Sequence, residues 1–284
     1  MSSDHTDAFI VYCSPAGTTR HVARTIETAL SSEGKSVVSC DLGKQRDFSP
    51  VIERIRAARE PYCLYIGTPV YACHAVPPVM RFIENLPAAA GPCYAVPFAT
   101  WGAVTSGMAL YEMAKPLCGK GYRILGAAKV LAVHSLLWQV PSPLGKGHPD
   151  ADDDRKITGL VTDVAEKIAG GDPRSLELSA LAYQPQEAYE GMKKVTLAVA
   201  GQMLPQRRVD TQSCTQCGIC ERECPAAAIT CDPFPSFGPD CILCYTCMQV
   251  CPEKAIQAHM TDMEQWLLTK SKESGEQPET HIFI

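Results

Sequence analysis

Eight cysteines form two copies of one short pattern, and this pattern is the strongest chemical signal in the sequence. Each copy has the spacing Cys-x2-Cys-x2-Cys-x3-Cys-Pro, and the two copies are 27 residues apart. The residues are Cys214, Cys217, Cys220, Cys224 and Pro225, then Cys241, Cys244, Cys247, Cys251 and Pro252. Thiolates at every third residue of a tight loop suit the irons of a cubane cluster. Structural zinc is disfavoured, because zinc sites pair two short cysteine hooks.

The repeat resembles the two-cluster ferredoxins of bacteria, in which the fourth cysteine of each run binds the other cluster. This resemblance implies two [4Fe-4S] clusters with crossed ligand sets. One set is Cys214, Cys217, Cys220 and Cys251, and the other is Cys241, Cys244, Cys247 and Cys224. Cys231 lies between the runs and belongs to neither set. It is interpreted as a packed thiol rather than a ninth ligand.

A second candidate site lies near the N-terminus, where a strand, a short loop and a helix start follow one another. The segment from Ile10 to Ile26 contains Ser14, Thr18 and Thr19. Their hydroxyls could bind a phosphate dianion together with free N–H groups at the helix start. The Walker pattern is absent, which disfavours a nucleoside triphosphate. By itself, such a segment is equally compatible with a plain tight turn.

Three stretches resemble the cofactor loops of flavodoxins, and the resemblance implies an FMN site. The phosphate-loop residues are Ser14, Ala16, Gly17, Thr18 and Thr19, where Ala16 replaces a common hydroxyl residue. The ring-binding loops are Pro69, Val70 and Tyr71, then Thr100, Trp101 and Gly102. Both ring-binding loops follow strands, at the edge where open α/β sheets bind ligands. Tyr71 and Trp101 are expected to cover the two faces of the flavin ring.

Other side chains with reactive or aromatic groups are interpreted as bystanders. Cys73 and His74 follow the first ring-binding loop, and they are expected to be neither proton donors nor redox groups. His134 and Trp138 are expected near a junction between domains, without a chemical role.

Alternating strands and helices must position these loops, and the hydrophobic pattern predicts a doubly wound α/β fold. Its five parallel strands, arranged as in flavodoxins, are predicted at Ala8–Cys13, Ser36–Asp41, Tyr62–Gly67, Cys93–Thr100 and Arg123–Val133. Helices are predicted after Thr18, from Ser49, and after the acidic run Asp150–Asp154. The acidic run is interpreted as a helix start, whose carboxylates favour the positive end of the dipole, rather than as a metal site.

The chain is expected to divide into four parts. Residues 1–171 form the flavodoxin-like domain, and residues 172–205 form a connector with a possible strand at Val195–Ala200. Residues 206–260 form a small α+β ferredoxin domain with two clusters. Residues 261–284 add one polar helix and an end, Glu273–Ile284, that is expected to be mobile.

Composition excludes several classes of protein. The 284 residues are 46% hydrophobic and 20% charged, which is typical of a globular protein. No apolar run reaches the roughly 20 residues that span a bilayer. The net charge of −5 disfavours nucleic acid as the main partner. Fifteen cysteines, an odd number, and an N-terminus without a signal pattern predict a reduced, cytoplasmic protein.

The combination resembles fused flavodoxin and ferredoxin proteins, which implies an electron carrier that joins one-electron clusters to an FMN. Residues 173–284 hold 9 basic and 14 acidic residues, so a redox partner with a basic docking face is expected. One alternative is an iron-sulfur flavoprotein reductase that acts on a quinone, a haem or a corrinoid. Another is a flavodoxin-like docking module that has lost its flavin.

Overall fold

The computed structural model describes residues 7–58, 61–171 and 173–284. Its strands are β1 (Ala8–Tyr12), β2 (Val37–Asp41), β3 (Tyr62–Tyr71), β4 (His74–Ala75), β5 (Cys93–Trp101), β6 (Arg123–Ile124), β7 (Ala127–Leu131), β8 (Arg208–Val209), β9 (Ile229–Cys231), β10 (Pro235–Phe237), β11 (Ile256–Gln257) and β12 (His281–Phe283). Its helices are α1 (Thr18–Ser32), α2 (Ser49–Ala57), α3 (Pro77–Asn85), α4 (Ala109–Gly119), α5 (Ala151–Ala169), α6 (Gln186–Met192), α7 (Leu197–Met203), α8 (Ile219–Arg222), α9 (Thr246–Gln249) and α10 (Met263–Ser274). Short 3-10 turns cover Ser135–Leu137 and Leu178–Leu181.

The central sheet has the neighbour order β12-β7-β5-β3-β1-β2. The part from β2 to β7 is parallel throughout. Without the short β4 and β6, its order is 2-1-3-4-5, the strand order of flavodoxin-like folds. The predicted α/β fold is therefore confirmed. Tyr12 of β1, Gly67 of β3 and Phe98 of β5 lie in register, so the loops after these strands meet at one edge.

Helices bury both faces of this sheet. Every residue of β1 and β5 is buried, as expected for parallel strands between two helical layers. The buried side of α1 includes Val22, Ile26 and Leu30, the spacing that predicted the helix. The Asp150 carboxylate accepts hydrogen bonds from the Asp152 and Asp153 N–H groups in a capping box. The acidic run thus begins α5, as predicted.

The predicted strand Arg123–Val133 is divided into β6 and β7, and the register against β5 shifts by one residue between them. A side chain at Gly126 would come within 2.7 Å of Leu160 in α5. This close approach lets α5 pack directly against the sheet.

The predicted mobile end is wrong, because the C-terminal segment forms a short strand that extends the sheet beyond the five parallel strands that were expected. Strand β12 pairs antiparallel with β7, with Ile282 opposite Ala128. The buried Leu131 N–H donates to Thr280 Oγ1 at 2.9 Å, which fixes the approach to β12. Glu276 forms an ion pair with Lys129 of β7 at 2.7 Å. A three-residue strand is too short for its alternation to be read in the sequence.

The predicted strand at Val195–Ala200 is also wrong, because helix α7 covers most of this stretch. The Thr196 hydroxyl accepts the Val199 N–H at 3.2 Å and begins the helix. Val195 and Val199 are four residues apart, a spacing that fits a helix better than a strand. Residues 173–205 thus contain a 3-10 turn and two short helices, α6 and α7.

The two cysteine runs fold into two equivalent halves. Helices α8 and α9 begin 27 residues apart, as do strands β9 and β11. Left-handed backbone recurs at the same interval, at Gln216 and Leu243 and at Ala227 and Lys254. Strand β9 pairs with β10, and β11 pairs with β8. The repeat in the sequence is therefore a repeat of structure.

The cysteine-bearing half packs against the carboxyl edge of the central sheet. The central sheet and the cysteine-bearing region both contribute to one buried apolar cluster, which includes Val11 from β1 and Ile242 from the second run. Arg46 donates to the Glu221 carbonyl at 2.6 Å, and Lys44 forms an ion pair with Glu223. None of the helices in residues 7–58, 61–171 and 173–284 is both long enough and apolar enough to cross a bilayer.

Candidate metal centres and the adjoining cavity

Four cysteines from the two runs line one small pocket, which we call the distal site. They are Cys214, Cys217, Cys220 and Cys251, the set implied by the sequence. Cys217 is exposed, whereas Cys220 is buried. The first run thus meets the last cysteine of the second run, so the fold brings these four thiols together.

The other four cysteines form the proximal site, deeper in the molecule. They are Cys224, Cys241, Cys244 and Cys247, and the first, third and fourth of these are buried. Burial raises the pKa of Cys247, the neighbouring Arg207 guanidinium opposes this rise, and the nearby Cys241 and Cys224 add to it. Burial likewise raises the pKa of Cys244 to about 12, with smaller effects from Cys247 and Cys241. The Arg207 guanidinium lies 3.1 Å from Cys241 Sγ and 3.6 Å from Cys247 Sγ, so these two sulfurs share one neighbourhood.

Backbone N–H groups point at the sulfurs in both sites. The Ala228 N–H donates to Cys224 Sγ at 3.3 Å, and the Ala255 N–H donates to Cys251 Sγ at 3.3 Å. These two bonds are equivalent in the repeat. Such donors stabilise negative sulfur and are typical of the environment of iron-sulfur clusters.

Cys231 lies beside the distal site rather than in a separate core. Its Sγ is 3.9 Å from Cys220 Sγ, and it lines the same pocket. Cys231 is therefore a neighbour of the four distal cysteines, which its position in the sequence alone did not indicate.

A cavity of about 540 Å³ adjoins the carboxyl edge of the central sheet. It is lined by nine of the eleven residues that the sequence analysis assigned to a flavin: Ala16, Thr18, Thr19, Pro69, Val70, Tyr71, Thr100, Trp101 and Gly102. Ser14 and Gly17 are outside this lining. The Ser14 hydroxyl accepts the Arg20 N–H at 2.9 Å, and Gly17 has a left-handed φ of 90° directly before α1.

Two aromatic residues of the cavity wall carry buried polar atoms without a hydrogen-bond partner in the described part of the chain. These atoms are Tyr71 Oη and Trp101 Nε1. Trp101 is only 1% exposed and packs with Ala103 and Leu131. An unpaired buried donor costs free energy, so a ligand that accepts hydrogen bonds here would relieve that cost.

The hydroxyl residues at the start of α1 have different partners. Thr19 Oγ1 is 2.8 Å from Thr100 Oγ1, so Thr19 ties α1 to the end of β5. Ala16 and Thr18 line the cavity, and within the described residues neither side chain has a hydrogen bond of this kind. Arg20 instead turns to Asp41, with its Nη2 at 2.8 Å from the carboxylate.

His134 is part of the cavity wall, although it was expected to have no chemical role. A side chain at Gly102 would come within 2.6 Å of the His134 ring, so only glycine allows this contact. His134 Nδ1 accepts the Leu136 N–H at 3.3 Å. Burial lowers the pKa of His134 to about 4, which keeps the ring neutral at pH 7.

The rest of the cavity wall comes from parts of the chain far away in sequence. Met203 of α7 and Trp266 of α10 lie in the lining, with Met203 55% exposed at the rim. Ile242 and Leu243, which separate two cysteines of the proximal site, complete it. The sequence carries no motif for these contributions, because they arise from packing between halves.

The second cysteine run also contacts the N-terminal loop directly. The Thr246 hydroxyl donates to the Pro15 carbonyl at 3.3 Å. Together with Ile242 and Leu243, this contact places the proximal site next to the cavity. The distal pocket shares no lining residue with this cavity, and its Cys217 is exposed.

Residues 207–230 match the family model of the 4Fe-4S binding domain. This match includes the first cysteine run and ends before the second. The chain joins a flavodoxin-like fold to a ferredoxin-type iron-sulfur region. A comparison with curated proteins finds no match.

Solved structures resemble the flavodoxin-like half. A flavodoxin from the domain Archaea is 20% identical, with 58% of this chain and 99% of that chain covered and a TM-score of 0.43. Flavodoxin 1 from Bacillus cereus is 11% identical, with coverage of 57% and 98% and a TM-score of 0.43. Rubredoxin oxygen:oxidoreductase from Desulfovibrio gigas is 18% identical, with coverage of 63% and 38% and a TM-score of 0.45.

Proposed function

We propose that this protein is a cytoplasmic electron carrier that holds two [4Fe-4S] clusters and one FMN and serves a redox partner enzyme. The observation that carries the proposal is that the proximal cysteine loop lines the cavity, whereas no residue of the distal pocket does. Ile242 and Leu243 lie between two proposed ligands, Cys241 and Cys244, and also line the cavity. Three centres in this order form a relay from the surface to the cavity.

The ligand assignment follows the crossed sets that the repeat implies. We assign Cys214, Cys217, Cys220 and Cys251 to the distal cluster, and Cys241, Cys244, Cys247 and Cys224 to the proximal cluster. The shared pocket of the first four cysteines supports the distal set. Equivalent backbone N–H groups bond Cys224 Sγ and Cys251 Sγ, so the last cysteine of each run has the same local surroundings.

We assign the cavity to FMN. The unpaired Tyr71 and Trp101 donors support this assignment, as does the position of the cavity at the carboxyl edge of a 2-1-3-4-5 sheet. The helix start at Thr18 would hold the phosphate, and the Pro69–Tyr71 and Thr100–Gly102 loops would hold the ring. When bound, FMN exchanges one or two electrons, whereas a cubane cluster exchanges one.

The residues around the cavity have the task of orienting the flavin and excluding water. Gly102 brings the neutral His134 ring against the second ring-binding loop, and the Thr19–Thr100 hydrogen bond fixes that loop to α1. Side chains from α7 and α10 form part of the cavity wall. A shielded flavin would receive electrons through the protein rather than lose them to solvent.

The distal site is the proposed entry for electrons. Cys217 is exposed, whereas the other distal cysteines are buried or partly buried. Acidic residues near it in the chain, Glu221 and Glu253, add to the negative charge that clusters with four thiolates carry. A donor or acceptor with a basic docking face fits this surface.

The first test is anaerobic purification followed by measurement of iron, sulfide and flavin. We expect about eight irons, eight sulfides and one FMN per chain, from two cubanes and one flavin. A matched variant, Cys217→Ser, is expected to lower the iron content or change one cluster signal while FMN is retained. Four irons in the parent protein would contradict the two-cluster assignment. Failure to bind FMN after reconstitution would contradict the flavin assignment.

A further inference from the structure

Arg207 lies against the sulfurs of the proximal site. Its Nη2 is 3.1 Å from Cys241 Sγ, and its Nη1 is 3.6 Å from Cys247 Sγ. The guanidinium carbon lies 4.2 Å from the centre of the Phe237 ring and 5.4 Å from that of Tyr245. The two rings hold a group that stays charged at every physiological pH. The proximal site therefore has a fixed cation that bonds two of its four sulfurs.

The repeat shows what occupies the same place at the distal site. Strand β8 pairs Val209 with Ile256, and strand β10 pairs Phe237 with the equivalent Ile229. Counting two residues back from Val209 and from Phe237 makes Arg207 equivalent to Pro235. Pro235 lines the distal pocket but carries neither a charge nor an N–H group. The two halves of the repeat thus differ at this position by one cation.

The other groups near the distal sulfurs do not replace that cation. In the described chain, the Cys231 thiol lies 3.9 Å from Cys220 Sγ, and it is neutral and a weak donor. Arg222 is close but exposed, and it donates to the Cys217 carbonyl at 2.9 Å rather than to a sulfur. Solvent screens an exposed charge of this kind.

If burial alone set the reduction potentials, the proximal cluster would have the lower one, which disfavours electron transfer from the distal site inward. Reduction adds one negative charge to a cluster, and a buried site stabilises that charge less than an exposed one does. The proximal site is the deeper one, since Cys217 of the distal site is exposed and Cys244 of the proximal site is not. Without compensation, an electron would remain on the distal cluster.

We propose that Arg207 raises the reduction potential of the proximal cluster to or above that of the distal cluster, which directs electrons inward toward the cavity. This inference rests on the two-cluster function proposed above. One electron leaves the distal centre and enters the proximal centre, and no bond is made or broken. The cation acts most strongly here because the site is buried and the local dielectric is low.

The test is a redox titration of both clusters in the anaerobic full-length protein, followed by electron paramagnetic resonance. The Cys217→Ser variant identifies the distal signal, because it changes a distal ligand. We expect Arg207→Gln to lower the reduced-to-oxidised ratio of the proximal cluster about tenfold at a fixed potential, equivalent to about 59 mV for one electron. The distal signal is expected to stay unchanged, and Arg207→Lys is expected to retain part of the effect.

Arg208→Gln is the matched control, since Arg208 is the exposed neighbour of Arg207 and should leave both signals unchanged. Iron analysis separates the two proposals, because about eight irons per chain are required before the potentials are compared. Equal shifts of both clusters, no shift, or a parent proximal cluster that titrates below the distal one would overturn the role of Arg207. If Arg207→Gln loses iron, two measurements still test the proposal. They are the order of the two cluster potentials in the parent protein and the potential of the proximal cluster in Arg207→Lys.

Discussion

His134 shows how burial sets the protonation of a single side chain in the cavity wall. Its ring lies against Gly102 and accepts a hydrogen bond from the Leu136 N–H group. Burial lowers its pKa to about 4, so the folded protein holds it neutral where the unfolded chain would bind a proton. The unfolded state therefore binds more protons between about pH 4 and pH 6.5, the usual pKa of histidine, and stability falls as the pH decreases through this range.

We expect the thermal midpoint of the parent protein to fall more between pH 7 and pH 5 than that of a His134→Asn variant. One histidine contributes up to about 1.4 kcal/mol for each pH unit in this range. Differential scanning calorimetry under argon measures both midpoints. His259→Gln, at an exposed position, serves as control and should keep the slope of the parent. An unchanged slope in His134→Asn would show that this ring is not responsible.

At the scale of elements, the segment that leads from α10 into β12 fastens the C-terminus to the sheet through a buried ion pair. Glu276 and Lys129 are each 11% exposed, and their charged atoms lie 2.7 Å apart. The same carboxylate accepts the Ser106 N–H at 2.8 Å and a Gln184 side-chain N–H at 3.1 Å. These bonds lower the pKa of Glu276 against the opposing effect of burial, the largest single influence on it.

We expect Glu276→Gln to destabilise the protein by about 3 kcal/mol, because it leaves the buried Lys129 without a counter-charge. The loss is measured as a lower thermal midpoint at pH 7. Glu279→Gln, at an exposed position in the same segment, should change little. Adding Lys129→Met to Glu276→Gln should recover part of the loss. A midpoint for Glu276→Gln equal to that of the parent would mean that the pair contributes nothing.

The sequence predicted long or repeated elements well and short ones poorly. Helix α1 could be predicted because apolar residues recur at every fourth position, at Val22, Ile26 and Leu30. The cysteine repeat could be predicted because few kinds of site use its spacing. Strand β12 has three residues and pairs with a strand about 150 positions earlier, so no local pattern indicates it. Helix α7 was mistaken for a strand because seven residues fit either period.

In the candidate sites too, residues within a local motif could be predicted from the sequence, and residues brought in by tertiary packing could not. The cysteines and nine cavity residues could be found because each lies in a motif after a strand or in a repeat. Met203, Trp266 and Arg207 could not, because each joins its site through tertiary packing alone. His134 was found only through its contact with Gly102.

For the whole molecule, charge is divided unevenly between the two halves. Residues 1–172 hold 17 basic and 17 acidic residues, whereas residues 173–284 hold 9 and 14. Each oxidised cubane with four thiolates would add about two further negative charges. The cysteine-bearing half is therefore the surface that would attract a basic partner.

We expect electron exchange with a small basic redox protein, such as a cytochrome c, to slow several-fold between about 20 mM and 300 mM salt, because salt screens exposed charges. Stopped-flow mixing of the reduced protein with the partner gives the rate. The double variant Glu221→Gln/Glu253→Gln should show a slower rate at low salt and a weaker salt dependence. Asp163→Asn, on the outer side of α5, is the control. A rate independent of salt would contradict docking through this face.

The return of the chain to the sheet at β12 has a mechanical consequence. Strand β7 lies before the cysteine-bearing half and β12 lies after it, and the two strands pair with each other. The chain therefore leaves the central sheet before the iron-sulfur region and rejoins the same sheet after it. The region is attached to the sheet at both of its ends rather than through one linker. A break in the backbone between α6 and α7 would leave the two fragments joined through the β7–β12 ladder and the Lys129–Glu276 pair.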